Sequence, residues 1–142
     1  MIRSPQTKNE WIAYFQLRYA ILRAPWGQAK GSEQTADEAQ HQHFAYFDTE
    51  NLLLGVGRLD LLDPQTTQVR FMAVAEHQQG KGIGRALMEE MESISKEKGI
   101  QKIILHAREV ALPFYQQLGY QLDAPSHLLF GEIQHFLMHK LI

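Results

Sequence analysis

The sequence predicts an α+β fold, and three observations carry that prediction. Between residues 43 and 75, aromatic and apolar segments of strand length alternate with short polar turns. Val69 to Lys98 reads as a buried strand, a glycine-punctuated turn and an amphipathic helix. A short β-branched segment follows that helix directly. An antiparallel meander feeding one right-handed strand–helix–strand crossover accounts for all three.

Composition bounds the remainder. The 142 residues suit one domain spanning 1–142, long enough to bury a core without disulfide or metal staples. The hydrophobic fraction of 44% and charged fraction of 21% are those of an ordinary globular chain. With 14 basic and 16 acidic residues the net charge is -2, and no basic stripe stands out, so no nucleic-acid partner is expected. The absence of cysteine excludes disulfides, thiolate metal sites and a cysteine nucleophile. MIRSPQTKNEW has no apolar core of signal-peptide length, and no run approaches the roughly 18 apolar residues of a membrane span. No membrane association is expected, and a cytoplasmic location is.

Taken in order, Met1-Ile2-Arg3 is a short strand candidate. A helix follows from about Thr7 to Leu22, with Ile12, Phe15, Tyr19 and Leu22 on one face and Thr7 or Asn9 as cap. Arg23 to Ser32 holds too many turn formers for regular structure, and its Trp26 is either an edge plug of the core or a pocket wall. Glu33 to Gln42 is polar and reads as a short helix. His43 to Asp48 alternates as a strand, Asp48 to Asn51 turns, and Leu52 to Leu62 is the partner strand, with Gly55 and Gly57 as bulge or close-approach positions. Asp63-Pro64-Gln65 leads into the central strand.

That strand is followed by glycines at 80, 82 and 84, which remove side chains from one short segment and let a ligand reach the backbone. Ile83, Leu87, Met91 and Ile94 then recur at helical spacing, and Gly99 supplies the stop. The first N–H groups of such a helix lack intrahelical partners, and Lys81 and Arg85 add positive charge there. A phosphate or pyrophosphate is the natural guest. Two familiar phosphate loops do not fit: Gly84 is followed by Arg85 and Ala86 rather than Lys and Ser or Thr, and no third glycine completes a dinucleotide fingerprint.

Gln101 to Ala107 is the parallel partner strand, Val110 to Leu118 a helix with Pro113 in its first turn, and Gly119 its stop. Tyr120 to Leu122 and His127 to Met138 read as closing strands around a turn at Asp123-Ala124-Pro125-Ser126. His135 and His139 lie four apart, a spacing that suits a metal only on a helix, so no metal site is expected.

Gln79-x-x-Gly82-x-Gly84 after a strand resembles the Gln/Arg-x-x-Gly-x-Gly/Ala motif of the GNAT superfamily of acetyl-CoA-dependent N-acetyltransferases. Ala111-Leu-Pro-Phe-Tyr-Gln-Gln-Leu-Gly-Tyr120 is similar to the segment that follows the fifth strand in that family. With the flanking strands the likeness covers about Leu53 to Lys140, and LLFGEIQHFLMHK is similar to a C-terminal strand of several branches. The resemblance implies an α/β/α sandwich with a mixed, mostly antiparallel sheet of about six to seven strands.

It also implies acetyl-CoA as co-substrate. The diphosphate would sit on the backbone of Gln79, Gly80, Lys81, Gly82, Ile83, Gly84 and Arg85. The pantetheine arm would lie between Phe71, Met72, Ala73 and Val74 on one strand and Leu105 to Arg108 on the next, with Phe114 beside it. Direct transfer to the primary amine of a small molecule or peptide needs an oxyanion donor, for which a central-strand N–H from Met72 to Val74 is the candidate. It also needs an acid for the departing thiolate. Tyr115, with an ordinary pKa of about 10 against about 8.5 for a thiol, is that candidate, or else a packed aromatic. For the general base, His106 is the best placed, with His43 and Glu76 as further options. The acceptor would be bounded by the first helix, the Pro25 to Ser32 loop and the last strands, where Arg18 and Arg23 would bind an acidic acceptor or simply be solvated. A non-catalytic acetyl-CoA-binding regulatory module and use of another acyl-CoA stay open, and the last strand is the place expected for a homodimer.

Overall fold

Thr7 begins the first helix, α1 (Lys8–Leu22), through a capping box. Its hydroxyl accepts from the Glu10 amide at 3.1 Å while the Glu10 carboxylate reaches back to the Thr7 amide. Before it lies the short strand β1 (Ile2–Arg3). After it come β2 (Gln42–Phe47), β3 (Leu53–Asp63) and β4 (Thr66–Val74), the predicted antiparallel meander. Helix α2 (Ile83–Glu97) crosses over to β5 (Lys102–Arg108), which pairs in parallel with β4. Helix α3 (Leu112–Gln117) leads to the hairpin of β6 (Gln121–Leu129) and β7 (Ile133–Leu141). The computed structural model describes residues 1–142 and joins all seven strands in one sheet, ordered β1-β2-β3-β4-β5-β7-β6.

Two apolar cores flank this sheet because successive strand residues point to opposite faces. On β2, Ala45 and Phe47 face α1, while Phe44 belongs to the larger core under α2 and α3. Helix α2 buries Ile83, Leu87, Met88 and Met91, which extends the predicted stripe by Met88 and leaves Ile94 half-buried. The Met91 and Met72 side chains fill the space over Gly57, where a Cβ would lie 2.6 Å from Met91 Cε and 2.8 Å from Met72 Sδ.

Several expectations are corrected. Helix α1 buries the predicted face only in part: Phe15 and Leu22 pack half-buried against the core, Ile12 is exposed, and the fully buried positions are Tyr14 and Arg18. An apolar periodicity cannot register a buried arginine, and here the guanidinium is paired. Arg18 donates to Glu38 at 2.7 Å and to the Glu33 carbonyl at 3.0 Å. Fully buried Arg58 forms a two-pronged pair with Asp60 at 2.7 and 2.8 Å and contacts Glu38 at 3.0 Å. This cluster also explains why Glu33 to Gln42 is not a helix beyond a 3₁₀ turn at Glu38–Gln40. Within this segment the Glu38 carboxylate is drawn into the protein between Arg18 and Arg58.

The closing hairpin is longer than predicted. Asp123 to Ser126 lies within β6, and the turn is Phe130-Gly131-Glu132, with positive φ at Phe130 and Gly131. Pro125 is tolerated because β6 is an edge strand, and the register shifts beside it. β7, the last strand, is paired on both sides, so the free edges are β1 and β6 and β7 has no edge left to extend the sheet into a second copy. No helix is long and apolar enough to cross a membrane.

Candidate active site

The site begins where β4 ends. A 3₁₀ turn at Glu76–Gln78 carries the chain to Gln79, whose side-chain amide donates to the Val74 carbonyl at 3.1 Å and ties the loop to the strand. Gly80 and Gly82 then adopt φ of 79° and 84°, a left-handed region that other residues enter only with strain. Gly82 caps α2 with no side chain of its own, and a Cβ there would meet nothing within 4 Å, so the turn is open outward. The amides of Gly80, Lys81 and Gly82 have no backbone acceptor. Those of Ile83, Gly84 and Arg85 lie in the first helical turn, where none is available. Six backbone donors without a backbone acceptor thus follow one another at the positive end of a 15-residue helix.

A second irregularity opens the sheet beside this loop. Phe71 has φ of 55° and, with Met72, stands opposite Gly57 alone, a bulge that bends β4. The parallel ladder of β4 and β5 stops at Val69–Leu105, so Arg70 to Val74 diverges from His106 to Arg108. Between them the β4 edge retains unpaired backbone groups. The resulting cleft of about 380 Å³ is lined by Met72, Ala73 and Val74 on one side, and on the other by Arg108, Phe114 and Tyr115. The loop residues Gln79, Gly80, Gly82, Ile83, Gly84 and Arg85 form its end. Gly84 is needed for α3 to close on α2, since a Cβ would lie 3.2 Å from Phe114 Cζ.

Eleven of the thirteen residues predicted to bind cofactor therefore line one cleft, and two do not. The Phe71 side chain, turned over by the bulge, faces the other way. Lys81 is exposed at the tip of the loop, its ammonium 3.4 Å from Gln78 Oε1. Prediction missed Ile21, Gln78, Gln117 and Leu118. Gln78 neighbours the motif, whereas Ile21 and Gln117 come from helices whose docking no local pattern encodes.

Tyr115 stands on the wall between this cleft and a second cavity of about 270 Å³. Its ring packs edge-on against Phe114 and Tyr120. The hydroxyls of Tyr14, Tyr19 and Tyr120 are hydrogen-bonded within the chain, but that of Tyr115 has no such partner. Burial pushes the Tyr115 hydroxyl up to about 12, against a smaller opposing pull from Arg108, so it is protonated at neutral pH.

His106 lies in the second cavity with Tyr115, not in the cleft. Its Nδ1 is buried without a hydrogen-bond partner. Burial, then His127 and Arg70, hold its pKa below the usual histidine value, so the ring is neutral at pH 7. The lengthened hairpin brings His127 and His135 beside it: ring centroids are 5.3 Å apart for His106 and His127, and 4.3 Å for His127 and His135. Sequence reading missed this trio because it had placed Ser126 in a turn and ended the strand early. Trp26 also lines this cavity, as a wall, with Arg108 at 5.8 Å over its ring.

The other two base candidates lie elsewhere. His43 is buried under α1, where Nε2 donates to the Glu38 carbonyl at 2.7 Å and Nδ1 accepts from the Tyr14 hydroxyl at 2.9 Å. Glu76 is exposed on the turn before the loop and lines neither space. Arg18 is locked to Glu38 and not available to a ligand, whereas Arg23 reaches the second cavity.

The comparisons with known proteins agree with this architecture. Bacillus subtilis (strain 168) protein YyaT is 32% identical over 105 residues, which cover 74% of this chain and 69% of YyaT. A GNAT family acetyltransferase from Elizabethkingia anophelis, solved with acetyl-CoA bound, superposes with a TM-score of 0.78 at 21% identity, over 100% of this chain and 97% of that one. An aminoglycoside 6′-N-acetyltransferase in complex with coenzyme A gives 0.78 at 18%, over 99% and 96%. Residues 10–120 match the Acetyltransferase (GNAT) family, and with that match across most of its length the chain is a member of that family of acyltransferase enzymes.

Proposed function

We propose that this protein transfers an acetyl group from acetyl-CoA directly to a primary amine, with Tyr115 as the acid that protonates the departing thiolate. The observation that carries the reading is the position of Tyr115, unpartnered and protonated, on the wall shared by a backbone-lined cleft and a second cavity. The cleft suits the donor. Free amides at the mouth of α2 match a diphosphate, and the unpaired β4 edge matches the amides of a pantetheine arm, which pairs as an added strand would. The second cavity suits the acceptor.

The chemistry follows from these groups. The neutral amine nitrogen attacks the thioester carbon, a C–N bond forms, and negative charge develops on the former carbonyl oxygen. A β4 amide from Met72 to Val74 is the donor for that charge. The C–S bond then breaks, and the Tyr115 hydroxyl gives its proton to the sulfur. His106, neutral and facing the acceptor space, is the base that removes the proton lost by the amine. As products leave, His106 gives up its proton to solvent and Tyr115 recovers one, so that no net proton is consumed.

Thiol release from acetyl-CoA in the presence of a panel of primary amines tests the reading. Amine-dependent release and formation of the N-acetyl product are expected. Heat stabilisation by CoA with no release for any amine would instead mark a regulatory module that binds the nucleotide without turnover.

A further inference from the structure

The second cavity differs from the rest of the molecule in its charge. Three arginines reach it, Arg23, Arg70 and Arg108, together with the histidines His106, His127 and His135, and no aspartate or glutamate lines it. Elsewhere the chain matches its interior arginines: Arg18 and Arg58 share Glu38 and Asp60 at 2.7 to 3.0 Å. The cavity arginines lack such partners. Arg23 donates only to the carbonyls of Leu22 and Ser32, and its side chain rests between the Phe71 and Phe130 rings at 5.7 and 5.3 Å. Arg108 makes no ion pair and lies over Trp26. Arg70 is 3.7 Å from Asp60, a carboxylate whose two oxygens are already held by Arg58 at 2.7 and 2.8 Å.

From this arrangement we infer that the acceptor is a small amine that also carries an anionic group, a carboxylate or a phosphate, held by Arg23 and Arg70 across the Phe71 ring. This rests on the transferase reading above and names the substrate class for it. A volume of about 270 Å³ admits a molecule of metabolite size and not a folded partner. Guanidinium groups bind carboxylate and phosphate through two parallel hydrogen bonds, and low-dielectric walls concentrate their field. The same field lowers the proton affinity of an approaching amine, which favours the neutral nucleophile that transfer requires. It also repels polycations. An amino sugar bearing several ammonium groups, as an aminoglycoside does, would meet three arginines and no carboxylate. Burial is the main cause of the lowered proton affinities of Arg23 and His106, neighbouring arginines add to both, and Glu33 opposes the shift at Arg23.

The test uses ω-amino acids of increasing length, the matching aminoalkyl phosphonates, their uncharged ω-amino amides and linear diamines. Turnover with acetyl-CoA is measured for each, and the affinity of each N-acetylated product is measured by calorimetry with CoA present. A preference of about tenfold or more for acid over amide is expected in both measurements. Arg23→Gln and, at the more exposed position, Arg70→Gln should each reduce that preference while CoA affinity stays unchanged. Carboxylate and phosphonate arms separate the two anion types. Equal binding of acid and amide, including none measurable for either, overturns the inference, as does faster acetylation of diamines than of amino acids; transfer itself would then stand. Arginine-dependent binding of acids with no acetylation of any would overturn the transferase reading and leave this one in place.

Discussion

The two spaces that meet at Tyr115 are built from different parts of the chain. Backbone makes the first, the proposed donor cleft: unpaired amides, the open edge of β4 and glycines that keep side chains out. Side chains make the second, the proposed acceptor cavity, contributed by α1, the loop after it, β4, β5 and both strands of the closing hairpin. The contrast teaches that a surface made of peptide groups recognises what every substrate shares. A surface made of convergent side chains is free to choose. It also explains why the first space can be read as a contiguous motif and the second cannot.

Substitutions on the two sides should therefore fail differently. The largest effect is expected for Gly82→Glu, which forces a side chain into a position with φ of 84° and sets a negative charge beside the diphosphate. CoA affinity measured by calorimetry should drop by more than about 100-fold, since several charge-assisted contacts are lost together. Binding within threefold of the parent would remove the loop from the donor site.

Tyr115→Phe cuts the line between the two spaces. It should lower kcat by roughly 10³-fold with CoA affinity within about twofold, the range expected for loss of a general acid. An unchanged kcat would return Tyr115 to a packing role. His106→Gln should cost less, on the order of 10² in kcat/KM, and should remove the acidic limb of the pH–rate profile. That limb lies below pH 6.5, because burial and two cationic neighbours depress the pKa and the base is active only when neutral. Survival of the limb in the variant would assign it to another group.

The smallest effect concerns stability. His43, His106 and His135 all have folded-state pKa values below the ordinary histidine value, burial being the main cause in each. The unfolded chain then binds more protons than the folded one. The stability that these rings contribute is complete above about pH 6.5 and is lost as pH falls through their folded values. Tm should decline by a few degrees between pH 7.5 and 5.5, and the decline should be shallower in His43→Gln. A flat profile over that window would contradict the burial argument.

How much was legible follows the same division. Gln79, Gly82 and Gly84 could be read directly because the turn imposes their type locally: two of three must lack a side chain for the backbone to be reached and for Phe114 to pack. Tyr115 was legible through its motif. The trio of His106, His127 and His135 was not, since three residues from three strands meet only through the hairpin register. Arg18 was read as a surface or substrate residue because an isolated arginine gives no sign of Glu38, 20 positions away, that permits its burial.

By itself the sequence determined the periodicities, the turns and the glycine loop, because each depends on backbone conformation within a few residues. Tertiary structure alone decided the bulge at Phe71, the parting of β4 from β5 and the charge of the second cavity. Those are sums over side chains distant in the chain, fixed only when the sheet closes and each buried charge either finds its counterion or is left to a ligand.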